Sequence, residues 1–316
     1  MTSGDPGPLG DPEPSGDPAP ASRPDRAGAG GPHVVALGGG HGLATSLRAA
    51  RRYAARVTAV VSVADDGGSS GRLRQIAGIP APGDLRRCLV AMAAERSLWA
   101  RAFEYRFPSG DLEGHALGNL VIAGLANVTG DFGQALDAAA RLLGSAGRVL
   151  PATSVPVVLK ANVAGREVVG QVNVSESPED ISFVEIVPAD APVPAEVLEA
   201  LATADQVVMG PGSLYTSVLA VCAVPGIRQA LSARSRGRVY VCNLRPQPPE
   251  TAGFRSEDHL RVMLDHGVPV DVMVVSGPPG PPRPVLGVES VAAPLALPDG
   301  GGHDPERLAS ILRILT

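Results

Sequence analysis

The chain has 316 residues, of which 44% are hydrophobic, with a mean hydropathy of +0.13 and a formal net charge of −5. This length suffices for one large core or two modest ones, and the acidic balance gives no electrostatic footprint for nucleic acid or anionic lipid. We therefore expect no nucleic-acid partner, while a local basic rim around an anion pocket stays compatible with this charge.

Residues 1–31 differ in composition from the rest of the chain. They hold seven prolines, seven glycines and no aromatic residue. Such a segment buries too little apolar surface to offset its ordering entropy, so the sequence predicts a disordered tail. The remainder, 32–316, is predicted to form a single α/β domain. The tail has neither the basic start nor the apolar middle of a signal peptide, so nothing in it directs secretion.

Short β-branched runs alternate with Ala/Leu/Arg-rich stretches from His33 onward. This alternation is typical of parallel strands joined by crossover helices, so we expect a Rossmann-like parallel sheet flanked by helices. The predicted helices begin near residues 43, 83 and 117. The predicted strands cover residues 34–37, 57–63, 207–209, 239–243 and 270–275.

The second half of the chain adds three features to this sheet. Residues 151–185 alternate in polarity, which predicts a small antiparallel excursion. The Pro- and Gly-rich segment 276–302 is predicted to be a loop. A final helix is predicted with Asp304 as N-cap, Pro305 at its first position, and an apolar face. That face contains Leu308, Ile311, Leu312 and Leu315.

Two further patterns concern the cellular compartment. Residues 206–227 are uncharged over the length of a membrane span, but prolines and glycines interrupt them, so a buried strand, loop and helix is the better interpretation. Cys88, Cys222 and Cys242 fit no disulfide or metal-binding spacing. We expect each cysteine to pack as a small hydrophobe in a reducing cytoplasm.

The first predicted strand runs into a glycine-rich loop. The loop contains Gly38, Gly39, Gly40, His41 and Gly42. Bare backbone between a strand and a helix admits a phosphate group close to the helix amides. The dinucleotide fingerprint is broken because Leu43 replaces its third glycine, and no Lys-Ser/Thr pair completes a Walker loop. Phosphate binding and a merely tight turn both remain open from this loop alone.

The second predicted strand ends in paired carboxylates. Asp65 and Asp66 precede a loop that carries Ser69, Ser70 and Arg72. Such carboxylates suit Mg²⁺ coordination, a ribose hydroxyl or general-base chemistry, whereas the alternative is a solvated turn. If the first two strands are neighbours, this loop lies beside the glycine loop.

Three later stretches add polar candidates. Asp84, Arg86 and Arg87 open a predicted helix, where arginine runs against the helix dipole and is tolerated if an anion lies opposite. His115 and Asn119 are four residues apart and would share one helix face if the helix has begun by then. Residues 210–213 form a second strand–glycine–helix turn, which suggests the other wall of a ligand crevice.

These motifs together resemble one family. "GGGHGL", "VADDGGSSGRLR", "PAPGDLR", "GHALGNL", "NVTGDF", "GPGSLYTSVL" and "ETAGF" followed by "DH" occur in this order. They are similar to the YvcK family, the gluconeogenesis factors, which is related to the CofD family of 2-phospho-L-lactate transferases. The resemblance covers about residues 33–266 and the last helix. It implies a cytoplasmic protein that binds UDP-sugars such as UDP-N-acetylglucosamine and supports cell shape and cell-wall synthesis on gluconeogenic carbon sources.

The resemblance also implies a role for each matching residue. His41 stands where the family usually has threonine, and its imidazole can donate to phosphate. The glycines of the first loop would cradle the diphosphate, and Asp65 and Asp66 would face the ribose or a metal such as Mg²⁺. The remaining residues expected to bind the ligand are Ser69, Ser70, Arg72, Asp84, Arg86, His115, Asn119, Gly210, Gly212, Ser213 and Tyr215.

Two functions from different classes remain open. The first is a non-enzymatic regulator that binds a nucleotide sugar and acts through a cell-wall synthesis partner, with homo-oligomerisation as a further expectation. The absence of an obvious nucleophile–base pair in the sequence favours it. The second is a CofD-like, Mg²⁺-dependent transferase in which a substrate hydroxyl attacks a nucleotide diphosphate. An NAD-dependent oxidoreductase is disfavoured by the broken fingerprint.

Overall fold

An eight-stranded sheet forms the centre of the computed structural model, which describes residues 30–94, 97–178 and 180–316. Its strand order is β10-β11-β9-β8-β7-β1-β2-β3, and every neighbouring pair except β10 and β11 is parallel. The strands are β1 (His33–Gly38), β2 (Arg56–Val61), β3 (Arg148–Pro151), β4 (Val158–Val163), β5 (Arg166–Val169), β6 (Ile181–Val187), β7 (Gln206–Met209), β8 (Arg238–Val241), β9 (Val272–Ser276), β10 (Arg283–Val285) and β11 (Val288–Ala293).

Helices cover both faces of this sheet. They are α1 (Gly40–Ala50), α2 (Gly68–Ala77), α3 (Gly83–Met92), α4 (Leu98–Glu104), α5 (Leu117–Thr129), α6 (Phe132–Leu143), α7 (Gln171–Ser175), α8 (Ala195–Thr203), α9 (Ala220–Cys222), α10 (Pro225–Ala233), α11 (Ser256–Asp265) and α12 (Pro305–Ile314). A π-helical turn over Leu214–Leu219 precedes α9. The predicted Rossmann-like α/β class is thus confirmed.

The central strands are buried on both faces, which explains their unbroken runs of β-branched residues. All residues of β1, β7 and β8 are buried, and β2 exposes only Arg56. A strand covered by helices on both sides gains from an apolar residue at every position, so no alternation develops. The five predicted strands correspond to β1, β2, β7, β8 and β9.

The chain reverses its direction of sheet growth at β1. It adds β2 and β3 on one side of this strand and later returns to add β7, β8 and β9 on the other. The crevice between the carboxyl ends of β1 and β7 is therefore a topological switch point, where open α/β sheets bind their ligands. The predicted neighbourhood of the first two strands is confirmed, because β1 and β2 pair in parallel from His33 with Arg56 to Gly38 with Val61.

In the second half of the chain, two predictions are confirmed and one is wrong. A three-stranded antiparallel sheet, β5-β4-β6, forms the predicted excursion. Helix α12 begins at Pro305, and the Asp304 side chain accepts hydrogen bonds from the Glu306 and Arg307 amides. Segment 276–302 is not simply a loop, because β11 pairs in parallel with β9 and gains burial there despite the surrounding prolines and glycines.

The uncharged stretch 206–227 forms buried strand β7, a loop and helices, as predicted. In the described part of the chain, no single helix is long and apolar enough to cross a membrane. Two consecutive helical segments, Leu214–Cys222 and Pro225–Ala233, are together long and apolar enough for a span by length and composition only, and they are bent by 75° relative to each other. All three cysteines are buried and unbridged. The predicted disordered tail lies outside the described residues except for Gly30 and Gly31, so it stays a prediction.

Candidate functional site

A cavity of about 330 Å³ lies at the carboxyl edge of the sheet, beside the switch point. Its lining comes from seven separate stretches of the chain, and nearly all of its side chains are polar. The lining residues are Gly40, Ser62, Asp65, Gly67, Gly68, Ser69, Ser70, Gly83, Asp84, Arg86, Arg87, Arg106, Asn119, Gln171, Thr216 and Ser217.

Three helix N-termini meet at this cavity. Helices α1, α2 and α3 begin at Gly40, Gly68 and Gly83, and none of them has a side-chain N-cap. The first amides of a helix lack intrahelical acceptors and carry the positive end of the helix dipole. Three uncapped N-termini around one cavity form a favourable environment for an anionic group such as a phosphate.

Glycines of the first loop allow the chain segments around the cavity to pack closely. A Cβ atom at Gly42 would overlap the Pro211 carbonyl group, and one at Gly39 would overlap the Asp84 carboxylate. Gly40 differs, because its φ is +61° and no heavy atom lies within 4 Å of the position that its Cβ would occupy. Gly39 and Gly42 therefore permit close packing, whereas Gly40 leaves open space in the cavity. Gly38 ends β1 and lies outside the lining.

Asp65 and Asp66 have separate roles despite their adjacency. The Asp66 carboxylate accepts hydrogen bonds from the Gln171 and Val172 amides, each at 3.0 Å, and so ties the β2 loop to α7. Asp65 lines the cavity and accepts from the Gly67 amide at 3.0 Å. Asp65 is consequently the carboxylate that faces the cavity, while both oxygens of Asp66 are engaged by α7.

Charge is unevenly distributed over the cavity wall. Burial, and then the nearby Asp84 carboxylate, raise the pKa of Asp65. Asp84 forms an ion pair with Arg87, with an Oδ1–Nη1 distance of 2.7 Å. With Arg86 and Arg106 also in the lining, three cations face two carboxylates. The protein side of the cavity is thus positive on balance, which suits an anionic ligand.

His115 and Asn119 meet at Ser69. The Asn119 Nδ2 donates to Ser69 Oγ at 3.0 Å, and the same hydroxyl lies 3.0 Å from His115 Nδ1. Helix α5 begins only at Leu117, so the condition for a shared helix face is not met, and His115 contacts Ser69 from the residues that precede the helix. Burial, and then the charge of Arg72, lower the pKa of His115.

Arg86 is a buried cation with an unused donor. It is 2% exposed, its Nη1 pairs with Glu104 Oε1 at 2.7 Å, and it also donates to the Phe103 carbonyl group. Its Nε has no hydrogen-bond partner, and neither does the Oδ1 of Asn119, which is 1% exposed. Buried polar atoms in native proteins are nearly always paired, so both atoms are candidates to bind a polar group.

The wall of the cavity that follows β7 is not formed by the residues that the sequence predicted. The Glu250 carboxylate accepts hydrogen bonds from the Tyr215 and Thr216 amides at 2.8 and 3.0 Å, and so occupies the N-terminus of the π-helical turn. Asn243 pairs with both the amide and the carbonyl group of Gly212. The Tyr215 side chain is buried beside His266. Thr216 and Ser217 provide the wall at this point.

Several predicted residues lie outside the lining. His41 is exposed on the first turn of α1, and Arg72 donates to the Glu113 carbonyl group. The remaining predicted residues that do not line the cavity are Gly38, Gly39, Gly42, Asp66, His115, Gly210, Gly212, Ser213 and Tyr215.

Sequence reasoning missed other lining residues. Ser62, Gly67 and Gly83 adjoin predicted motifs, so proximity was a usable signal. Arg106 and Gln171 come from segments without a motif, and only tertiary packing brings them to the cavity.

Comparisons with known proteins show which family the chain resembles. The family model described as "2-phospho-L-lactate transferase CofD" matches residues 34–285. The chain is 43% identical over 303 residues to a "Putative gluconeogenesis factor" of Mycobacterium tuberculosis, a match that covers 88% of this chain and 89% of the relative. It is 40% identical over 237 residues to the "Gluconeogenesis factor" of Bacillus subtilis, which covers 74% and 75%.

A solved structure shows the same fold. The crystal structure of a member of the UPF0052 family from Bacillus halodurans superimposes with a TM-score of 0.83 at 37% sequence identity. The superposition covers 88% of this chain and 97% of that chain.

Proposed function

The chain belongs to the CofD family, which includes the gluconeogenesis factors, and we propose that its cavity binds a nucleotide diphosphate sugar of the UDP-N-acetylglucosamine type. The observation that carries this proposal is the convergence of three uncapped helix N-termini with two unpartnered, buried polar atoms, Arg86 Nε and Asn119 Oδ1. The amides suit the diphosphate, and the unpartnered atoms suit polar groups attached to it.

The proposed cellular role is regulatory. The protein would report the level of the nucleotide sugar to a cell-wall synthesis partner in the cytoplasm and so support cell shape on gluconeogenic carbon sources. Two features of the molecule support binding over turnover: the Ser69 hydroxyl is buried in a network with His115 and Asn119, and Asp66 is engaged by α7 amides.

Mg²⁺ fits this cavity through Asp65 and not through the Asp65–Asp66 pair. Within the described ranges, no group of three or more His, Cys, Asp or Glu residues is placed to hold a metal ion. Asp65, with Asp84 close enough to raise its pKa, offers the hard oxygen donors that Mg²⁺ prefers, and the ligand phosphates would complete the set. A bound Mg²⁺ would neutralise diphosphate charge beside these carboxylates.

Calorimetry tests the proposal. UDP-N-acetylglucosamine is titrated into the full chain with and without Mg²⁺, with UDP-glucose and GDP as comparison ligands. We expect binding of one UDP-sugar per chain, and a preference for UDP-sugars over GDP. Binding of GDP alone, or no heat from any of the three, would contradict the proposal.

A CofD-like transferase is the second candidate function. The observation that favours it is Asp65, which faces the cavity with a raised pKa and so is suited to accept the proton of an attacking substrate hydroxyl. In that reaction the hydroxyl oxygen forms the new P–O bond while the nucleoside monophosphate leaves. A turnover assay with phospholactyl-diphosphoguanosine, a deazaflavin acceptor and Mg²⁺ decides the question, because the regulatory proposal predicts no product.

A further inference from the structure

Two of the four unpartnered side-chain atoms lie in one cavity. Among the residues that the structure describes, the buried side-chain atoms without a hydrogen-bond partner are Arg74 Nη1, Arg86 Nε, Asn119 Oδ1 and Arg234 Nε. Arg86 and Asn119 both line the candidate site. Arg86 packs against α5 next to Asn119, because a Cβ at the preceding residue, Gly118, would be 2.9 Å from Arg86 Cδ. Both residues therefore adjoin the same turn of α5 and the same cavity.

A hydrogen-bond chain fixes which atom Asn119 presents. Its Nδ2 donates to Ser69 Oγ, and the Ser69 hydroxyl is then free to donate its own proton to His115 Nδ1. With Nδ2 engaged, the amide oxygen is the atom left for the cavity. Ser69 and His115 are positioning residues in this arrangement, since they orient Asn119 and are not required to touch the ligand.

A phosphate group alone does not satisfy both atoms. Arg86 Nε is a donor and pairs well with a phosphate oxygen, but Asn119 Oδ1 is an acceptor and requires a hydrogen-bond donor. A hydroxyl group has one donor and two acceptor lone pairs, so one hydroxyl can accept from Arg86 and donate to Asn119. Leaving either atom unpaired in a buried site costs the desolvation of that atom.

We propose that Arg86 and Asn119 form a hydroxyl-recognition subsite beside the phosphate-binding helix N-termini. The ligand class is then a phosphate or diphosphate ester of a sugar or another polyol, with a hydroxyl group close to the phosphate. This inference rests on the proposed phosphate-binding cavity and adds what that cavity selects: the subsite discriminates against bare inorganic anions.

The test compares a hydroxyl-bearing ligand with a bare anion. UDP-N-acetylglucosamine and pyrophosphate are titrated into the full chain by calorimetry, and the ratio of their Kd values is the readout. Asn119→Leu keeps the side-chain volume but removes the acceptor. We expect this change to reduce the preference for the sugar nucleotide by about tenfold and to leave the pyrophosphate Kd within about twofold. Asn127→Leu, on the same helix but outside the lining, is the matched control.

A second variant covers the possibility that Asn119→Leu fails to fold. Asn119→Asp keeps an acceptor for the hydroxyl and still offers Ser69 an oxygen, so its preference ratio should stay near the wild-type value although all anions bind more weakly. If Asn119 instead donates to phosphate, Asn119→Asp will reduce the affinity for pyrophosphate more than the affinity for the sugar nucleotide, and the proposal is overturned. Equal weakening of both ligands in Asn119→Leu overturns it as well.

Failure of the nucleotide-sugar proposal can be told apart from failure of the subsite. If the wild-type chain does not bind UDP-N-acetylglucosamine, the same ratio is measured with glucose 1-phosphate and inorganic phosphate, which need no nucleotide pocket. A wild-type preference for glucose 1-phosphate that Asn119→Leu removes supports the subsite without the nucleotide. No wild-type preference in either pair overturns the subsite itself.

Discussion

Replacing Asp65 and Asp66 separately by asparagine should separate ligand binding from folding. The two residues are adjacent and chemically identical, so any difference between the variants reports their surroundings. Asp66 accepts two amide hydrogen bonds from α7, whereas Asp65 accepts one from Gly67 and faces the cavity. We expect Asp66→Asn to lower stability and Asp65→Asn to lower affinity.

The expected size of each effect follows from these contacts. A hydrogen bond to a charged group contributes about 1.5–3 kcal/mol. Asp66→Asn keeps one acceptor and turns an NH₂ group toward the other amide, so the free energy of unfolding should fall by about 2–3 kcal/mol. Asp65→Asn keeps the oxygen that Gly67 uses. Because burial and Asp84 disfavour the charged form of Asp65, the neutral amide should leave stability unchanged or raise it by up to about 1 kcal/mol.

The assays are denaturant unfolding and calorimetric titration of the same preparations. Asp65→Asn should weaken binding of UDP-N-acetylglucosamine in Mg²⁺ by about tenfold or more, the value of a lost charged hydrogen bond or metal contact. Asp66→Asn, measured well below its unfolding midpoint, should bind within a fewfold of wild type. Equal destabilisation by the two substitutions, or an unchanged affinity in Asp65→Asn, would refute the division of roles.

Three further predictions concern the site and the core. Gly40→Val should abolish phosphate binding by filling the cavity, whereas Gly78→Val, at a similar φ of +63° outside the lining, should cost comparable stability, about 1–2 kcal/mol, without affecting affinity; equal affinities in calorimetry would move the anion site elsewhere. Glu250→Ala should lower the free energy of unfolding by about 2–4 kcal/mol, because two amides and a hydroxyl lose their acceptor; a loss below 1 kcal/mol in urea titration would count against the cap. Burial lowers the pKa of His259 to about 4, so as the pH falls below 6.5 this histidine is protonated in the unfolded chain before it is protonated in the folded chain. The free energy of unfolding of the wild type should therefore fall by about 3 kcal/mol by pH 4. His259→Gln should flatten that part of the stability–pH curve, and an unaltered curve would show that this ring is not its source.

The sheet was predictable because its signal is local. Uninterrupted valine runs indicate strands that are buried on both faces, and glycine after a strand indicates a turn into a helix. Strand β11 was not predictable from the same rules, since its half-buried residues show no clear period and lie among prolines and glycines. Its stability comes from pairing with β9, which only the assembled sheet provides.

The site was predictable in composition and not in detail. Two neighbouring loops with glycines and acids indicate a phosphate site, but nothing local tells Asp65 from Asp66. That choice is made by α7, whose amides lie 105 and 106 positions further along the chain. Likewise, the Gly210–Ser213 turn has the pattern of an anion site, yet Glu250 from a later loop already occupies the following helix start.

The most direct measurement is a crystal structure of the chain with bound UDP-N-acetylglucosamine. We predict density for the diphosphate within hydrogen-bonding distance of the first amides of α1 and α2, beside Asp65. Another groove, at the opposite edge of the sheet, provides an internal comparison. It has a volume of about 700 Å³, and its lining includes Asp205, Arg236 and Thr316. Nucleotide density in that groove, with none at the switch point, would contradict the assignment of the site.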